Sequence, residues 1–399
     1  STIVWRGKPA LAEWVGDVPE IAGNENMNCP DACGLCPEHR QDTCCVLLEV
    51  TSRCNLACPH CFAESSSTCA GEDPPLDQVK AWIADIAGRG KTFLQLSGGE
   101  PTLRDDLPDV IRFAKKAGCE YVQLNSNGLR LADDPDYVEA LADAGLSFVF
   151  MQFDGTTDTI HSILRGGALL NTKLRAIEQC GLCNIGVILV PTLVPGVNLQ
   201  DVGAIIRMAM ARSPVVRGVH FQPVSYFGRY PQNPDNALRV TLPEVLRAIV
   251  EQAGDIVPAN SFAPSHCDHA RCGFHGSYIV TPGGLKPLTK PSQSGCCQPA
   301  PAEKNRRFVG IRWQRPSSRC CTDTDKPVSP IADCCDLGTI EGFFQRSRSH
   351  AFTISAMAFQ DAYSLDLERL RQCSLHVYAD GKVRPFCAHY LTRFHAHRG

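Results

Sequence analysis

Between residues 45 and 225 apolar residues recur in two rhythms. Short runs rich in Val, Ile, Leu and Phe stand at 45–51 (CVLLEVT), 92–97 (TFLQLS), 120–125 (EYVQLN), 147–153 (SFVFMQF), 185–190 (IGVILV) and 218–223 (GVHFQP). Continuous runs of this length are predicted to be parallel strands buried on both faces. Helical spacing fills the gaps: Val79, Ile83 and Ile86 precede Gly88 and Gly90, and Leu107, Val110, Ile111 and Ala114 precede Gly118. Gly145 and Gly181 close two more such stretches, as glycines just past a helix do. Six strand–helix units predict a parallel α/β architecture, an open sheet or an incomplete barrel, with function at the C-terminal strand ends.

Outside this block the pattern fades. Residues 1–44 are rich in Pro, Gly, Asn and Cys, and 281–336 show little periodicity. Neither segment is expected to order without a metal or the core behind it. The stretch from Cys373 to Leu391 is predicted to be a hairpin turning at Asp380-Gly381, with a cysteine at each end. The expected division is therefore a Cys-rich extension at 1–44, a core at 45–255, and a Cys-rich C-terminal region at 256–399 carrying the irregular insert 281–336.

Charge and composition narrow the function classes. Lys and Arg total 39 against 42 Asp and Glu, a net charge of −3 without any basic block, so no nucleic-acid-binding surface is expected. The most apolar stretch, Ile185–Val197, is short and interrupted by proline, and the first residues lack a basic-then-apolar leader. An unexported, cytoplasmic protein with no transmembrane segment is expected. Its 22 cysteines then point to metal ligation rather than disulfides.

Their spacing is informative. Two stretches share Cys-x3-Cys-x2-Cys: Cys29, Cys33, Cys36 and Cys54, Cys58, Cys61. Only the second follows directly on an apolar strand, and 36 residues after it another strand ends in Ser97-Gly98-Gly99-Glu100-Pro101. This combination resembles the radical S-adenosylmethionine (SAM) superfamily. The resemblance implies that Cys54, Cys58 and Cys61 hold a [4Fe-4S] cluster with one iron left for SAM. It implies that Glu100 accepts from the SAM amino group while Ser97, Gly98 and Gly99 let backbone approach. His60 stands where the family usually carries an aromatic residue. Asn127 in Asn125-Ser126-Asn127-Gly128, Asp154 before Gly155, and Gln222 before Pro223 would line the ribose and adenine.

The stretch from Cys29 through LEVTSRCNLACPHCFAESS, with LVPTLVPGVN, VHFQPVSYFGR and Pro385-Phe386-Cys387-Ala388, resembles the archaeal tetraether lipid synthase group and its bacterial relatives. That implies an incomplete (β/α)6 barrel with Cys-rich extensions around auxiliary clusters. Cys29, Cys33, Cys36 and Cys44 give four ligands and Cys267, Cys272, Cys373 and Cys387 four more, for three [4Fe-4S] clusters in all. Cys45 serves as well as Cys44, and His266, His269 or His389 can replace a thiolate. Cys69, Cys119, Cys180 and Cys183 are read as buried thiols.

Three adjacent pairs remain, Cys296-Cys297, Cys320-Cys321 and Cys334-Cys335, where random placement gives about one pair in the whole chain. Vicinal thiols suit a soft, thiophilic substrate. Three readings follow: hydrogen abstraction and carbon bond formation; transfer of the SAM 3-amino-3-carboxypropyl group to trivalent arsenic held by these pairs; and a non-catalytic iron-sulfur carrier. The expected partners are an electron donor such as ferredoxin or flavodoxin and a small-molecule, lipid or metalloid substrate.

Overall fold

The computed structural model describes residues 39–65, 72–231, 235–265, 267–288, 302–316 and 339–393, together with an antiparallel strand pair, Thr2–Trp5 with Ala12–Val15. The six expected strands are all present, within two residues of the predicted bounds: β1 (Cys45–Thr51), β2 (Phe93–Gly98), β3 (Tyr121–Ser126), β4 (Phe148–Gln152), β5 (Gly186–Val190) and β6 (Val216–Pro223). They pair in parallel in chain order.

Seven further strands join them: short pieces at Thr192–Leu193, Ala263–Pro264 and Gly284–Pro287, and β7 (Gly273–Thr281), β8 (Ala351–Met357), β9 (Leu375–Ala379) and β10 (Lys382–Pro385). The order across the sheet is β7-β8-β6-β5-β4-β3-β2-β1-β9-β10. β8 pairs in parallel with β6 and β9 with β1, while β7 and β10 run antiparallel at the two sides. Lying flat, β7 and β1 would stand seven strand spacings apart, roughly 34 Å. Gly273 of β7 and Leu47 of β1 nevertheless line one cavity, so the sheet curls.

Curling gives its two faces different jobs. The outer residues Leu94, Leu96, Val122, Leu124, Val149, Met151, Val187, Leu189, Val219 and Phe221 are buried in the main apolar core. Covering them are α1 (Leu76–Gly88), α2 (Leu107–Lys116), α3 (Pro135–Asp143), α4 (Asp158–Arg165), α5 (Leu170–Leu182), α6 (Val202–Ala211) and α7 (Leu242–Ala253). α1 and α2 bury the predicted faces, Val79, Ile83 and Ile86, and Leu107, Val110, Ile111 and Ala114. Gly145 follows α3 with φ +95°. Gly181, by contrast, lies within the last turn of α5, and Asn184 takes the left-handed conformation beyond it. On the inner face, strand alternation presents Gln95, Gln123, Asn125, Phe150, Gln152 and His220 to the cavity.

The C-terminal hairpin forms as predicted. Asp380 and Gly381 have φ +52° and +72°, the left-handed pair that a two-residue turn requires. A helix at Phe386–Arg393 follows, carrying Cys387. Within the segment expected to be irregular, Ala302–Trp313 forms helix α8. It docks inside the curl: the Trp313 ring lies 4.8 Å from Phe150 and 5.5 Å from Phe148, and its Nε1 donates to Thr353 Oγ1 at 2.9 Å. Helix α9 (Ile340–Ser349) leads into β8. Among the described residues no helix is long and apolar enough to cross a membrane.

Gly310 is the point where α8 meets the sheet, since a Cβ there would fall 2.3 Å from the Tyr121 ring. Alanine raises helix propensity by about 1 kcal/mol but overpacks the contact by about 1 to 3 kcal/mol. Gly310→Ala should therefore lower the urea midpoint, by about 1 kcal/mol in unfolding free energy. An unchanged or higher midpoint would show that α8 does not dock through this glycine.

Candidate active site

β1 ends at Thr51, and the loop beyond it carries Cys54, Cys58 and Cys61 as free thiols. The loop is held by backbone from elsewhere. Cys61 and Arg229 exchange two N–H···O bonds of 2.9 Å, and the Arg229 guanidinium donates to Cys58 O (2.8 Å) and Ser65 O (2.9 Å). Gly228 allows this approach: its φ is +69°, and a Cβ would meet Cys61 O at 2.4 Å. On the other side Thr51 Oγ1 and the Arg53 guanidinium both bond Asp73. Burial raises the Cys54 thiol to about 12 and raises Cys61 as well. These thiols keep their protons until a metal displaces them.

The Ser97–Pro101 turn rests against this loop. A Cβ at Gly98 would lie 2.1 Å from Thr51 O, and one at Gly99 2.0 Å from Arg53 O. Gly99 N donates to Thr51 O and Glu100 N to Arg53 O, each at 2.8 Å. The close approach expected of these glycines is thus made to the cysteine loop itself. Glu100 points inward, 1% exposed. Its Oε1 accepts from Thr102 N (3.2 Å), Thr102 Oγ1 (2.6 Å) and Ser126 Oγ (2.8 Å), and Oε2 from Asn127 N (2.6 Å). Burial nevertheless outweighs these donors and raises the Glu100 pKa.

Asn127 relays the contact, its Nδ2 donating to Asn55 Oδ1 of the cysteine loop at 2.7 Å. Its carbonyl accepts from the fully buried Lys173 of α5. Asp154, at the end of β4, takes a bidentate bond from Arg165 of α4 at 2.6 and 2.7 Å, and one from Thr192 N at 3.0 Å. Burial pushes Asp154 up, but Arg165 and Thr192 hold it below its ordinary value. Burial brings Lys173 down to about 8, with Asp154 pulling the other way. Two carboxylates and two cations thus lie buried under the cysteine loop, and Arg165 also reaches Cys58. Sequence reasoning missed Arg165, Lys173 and Arg229. Lys173 was detectable as a lone cation on the buried face of α5 with Ala176, Ile177 and Cys180.

A cavity of about 710 Å³ runs from these residues into the curl of the sheet. Cys54, Cys58, Cys61, Ser97, Gly98, Gly99, Glu100, Asn127 and Gln222 line its upper end, Cys44, Cys45 and Cys267 another part. Asp154 is fully buried behind Arg165 and does not line it. Between them stands a polar and aromatic wall. Gln123 Nε2 bonds Asn125 Oδ1 at 2.8 Å, Asn125 Nδ2 bonds Ser97 Oγ at 3.2 Å, and the His220 ring lies 5.6 Å from Phe150. His220 Nδ1 pairs with Ser355 Oγ at 2.9 Å, and burial lowers its pKa to about 4, so the ring is neutral at neutral pH.

The other cysteines fall in two places. Cys44 donates to Cys267, which lowers Cys267 and raises Cys44. Cys272, Cys373 and Cys387 neighbour one another closely enough that the charges of Cys387 and Cys272 raise Cys373 further, beyond the effect of burial. Arg369 Nε donates to Cys272 Sγ at 3.3 Å, and Gln360 N to Cys387 Sγ at 3.2 Å. Among the described residues no three His, Cys, Asp or Glu side chains converge on a single metal ion. Cys119 and Cys180 are buried thiols, whereas Cys183 is half-buried. Cys29, Cys33, Cys36, Cys69, His266 and the pairs Cys296-Cys297, Cys320-Cys321 and Cys334-Cys335 lie outside the described residues.

Known proteins resemble this chain at two scales. Residues 48–209 match the model of the Radical SAM superfamily. The chain is 32% identical, over 94% of its length, to the 7,8-dihydro-6-hydroxymethylpterin dimethyltransferase of Methanocaldococcus jannaschii, and covers 82% of that protein. With the GTP 3',8-cyclase of Listeria monocytogenes it shares 28% identity over 46% of this chain and 55% of the relative. The structure of Streptococcus suis SuiB bound to S-adenosylmethionine superposes with a TM-score of 0.45 at 11% identity, over 53% of this chain and 49% of that one. On the strength of the near full-length relative and the matched core, this chain belongs to the radical SAM superfamily, enzymes that cleave SAM to do radical chemistry.

Proposed function

We propose that this enzyme attaches carbon to a flat, amide-bearing nitrogen heterocycle of the pterin class. The observation that carries the reading is the cavity wall. Gln95, Gln123, Asn125 and Gln152 present amides that donate and accept in a plane, and Phe150, His220 and Trp313 supply aromatic surface beside them. Such a wall suits a lactam-bearing ring and gives little to an alkyl chain. The near full-length similarity to a pterin dimethyltransferase supports the same substrate class. The resemblance to the tetraether lipid synthase group agrees on carbon bond formation and differs only in substrate. The arsenic reading depends on cysteine pairs outside the described residues.

In this reading the core is an incomplete (β/α)6 barrel flanked by Cys-rich extensions. Cys54, Cys58 and Cys61 fit a four-iron cluster: three soft sulfurs on one short loop leave a corner for SAM. When bound, that cluster supplies the electron that cleaves SAM. The chain's residues hold the reacting parts still. Arg229 and the two glycines fix the cysteine loop, Glu100 locks the Ser97–Pro101 turn to Asn127, and Arg165 balances negative charge at Cys58. Ser97, Gly98, Gly99, Asn127 and Gln222 line the SAM end of the cavity, and Asp154 acts through Arg165. Cys272, Cys373 and Cys387 would share one auxiliary cluster, and Cys29, Cys33 and Cys36 would hold the other with one thiol of the Cys44 and Cys267 pair as the fourth ligand. A low-potential donor of the ferredoxin or flavodoxin kind supplies electrons.

The anaerobically reconstituted protein should hold on the order of twelve irons. Replacing Cys54, Cys58 and Cys61 together by Ala should remove about a third of the iron and all SAM cleavage. Persistence of cleavage in that variant, with loss instead on changing Cys29, Cys33 and Cys36, would move the site to the other motif.

Glu100→Gln keeps the side chain's volume but sets an amide against Asn127 N–H. It should weaken SAM binding by about ten- to a hundredfold with iron content unchanged. Wild-type SAM affinity in the variant would remove Glu100 from the site.

To test the substrate class, the reduced enzyme is incubated with SAM and either arsenite or 7,8-dihydro-6-hydroxymethylpterin, the latter both free and as its diphosphate ester, and products are read by mass spectrometry. A carbon-substituted pterin is expected from at least one form. A 3-amino-3-carboxypropyl arsenical with 5'-methylthioadenosine would replace the pterin reading with the arsenic one, and inertness toward both forms of the pterin would end the pterin reading.

A further inference from the structure

Helix α8 presents one face to the cavity through Lys304, Asn305, Phe308, Val309, Arg312 and Trp313, the i, i+4, i+8 stripe and its neighbours. Arg312, half-buried on this face, differs from Arg217 and Arg165 in how its guanidinium is satisfied. Arg217, fully buried beside it, satisfies its guanidinium on three carbonyls: Arg312 O at 2.9 Å, Arg348 O at 2.9 Å and Ser349 O. Arg165 has Asp154. The Arg312 guanidinium stacks on Phe308, 5.0 Å from the ring centroid, and its Nη1 is buried with no hydrogen-bond partner among the described residues.

The carboxylates on the cavity wall do not serve it. Glu100 is committed to Thr102, Ser126 and Asn127 at the other end. Asp268 accepts from Ser374 N at 2.8 Å, Ser374 Oγ at 2.9 Å and Ser265 Oγ at 3.3 Å. Burial lowers the Arg312 pKa, with no acid among the causes that would raise it. A desolvated guanidinium without a counter-charge is costly, and a ligand oxyanion removes that cost while filling the fork of donors.

We infer that Arg312 binds an oxyanion group of the substrate, a phosphate or a carboxylate, with Lys304 adding positive charge farther along the same helix face. The inference rests on the reading of this cavity as the substrate's and narrows the substrate to a heterocycle that carries an anionic arm. In the opposite orientation, with the ring at α8, the amides of β2–β4 would face the anionic arm, where they offer no charge.

The test needs neither SAM nor reductant. Inorganic pyrophosphate, inorganic phosphate and acetate are titrated into the anaerobically reconstituted full chain by calorimetry, with tryptophan fluorescence as a second readout because Trp313 adjoins Arg312. Saturable binding of at least one anion is expected, and R312Q should weaken it about tenfold or more. Preference among the three distinguishes a phosphate from a carboxylate arm. Iron content and circular dichroism check that R312Q folds. Should it not fold, R312K carries the test, with weaker binding expected because an ammonium lacks the planar fork. Absence of saturable binding by the wild type, or wild-type affinity in R312Q or in the substitute R312K, overturns the inference. A protein that binds pyrophosphate through Arg312 yet leaves the pterin unchanged, both free and as its diphosphate ester, keeps this inference and loses the pterin reading.

Discussion

The carbonyl oxygens of Thr51 and Arg53 lie where Cβ atoms at Gly98 and Gly99 would stand. That contact lets the turn after β2 lie directly on the loop after β1, and the rest of the site is built on it. Side chains at those two glycines would separate the cysteine loop from the turn by the width of a methyl group. Glu100 would then be withdrawn from Asn127, and Asn127 from Asn55. Gly228 repeats the device on the far side of the loop, where Arg229 closes a short antiparallel bridge to Cys61. Three glycines and one arginine thus make rigid a loop that has little secondary structure of its own.

Under that loop lies a set of buried charges with no net sum. Glu100 and Asp154 face Lys173 and Arg165, each anchored on a different strand end or helix. The low dielectric around them makes every missing partner expensive, so the four groups register β2, β3, β4, α4 and α5 against one another. Glu100 is raised and Asp154 lowered because only Asp154 has a guanidinium in direct contact. The polar interior therefore orders the rim more than it supplies reactive groups to the cavity.

The cavity itself follows from sheet curvature. Alternation along each strand sends aliphatic residues outward to the helices and amides, aromatics and His220 inward. Helix α8 then occupies part of the space inside the curl, held by Trp313 and Gly310. The cavity that remains has Cys54, Cys58, Cys61 and the Ser97–Pro101 turn at one end and, on the α8 face, the Arg312 guanidinium, which has no carboxylate partner among the described residues.

The strands were legible in the sequence because a strand buried between layers needs a short, continuous apolar run, and that requirement is local. The helices of the core were legible for the same reason, through Val79, Ile83, Ile86 and their equivalents. Cys54, Cys58, Cys61 and the Ser97–Pro101 turn could be read because their spacing from a strand end fixes where they stand. β7, β8 and α8 could not be read from their region, since β8 takes its place only by pairing with β6, and α8 is ordered by the ring it meets. The roles of Arg165, Lys173, Arg229 and Arg312 were likewise hidden. A buried charge is defined by its partner: Arg165 meets Asp154 from the preceding strand end, Lys173 and Arg229 meet backbone from other parts of the chain, and Arg312 has no carboxylate partner among the described residues. Local sequence determined which elements of the core form and which cysteines lie on one loop. Tertiary packing decided which charges are neutralised and placed Arg312 on the cavity with no carboxylate partner among the described residues, because desolvation and pairing depend on neighbours that only the folded chain brings together.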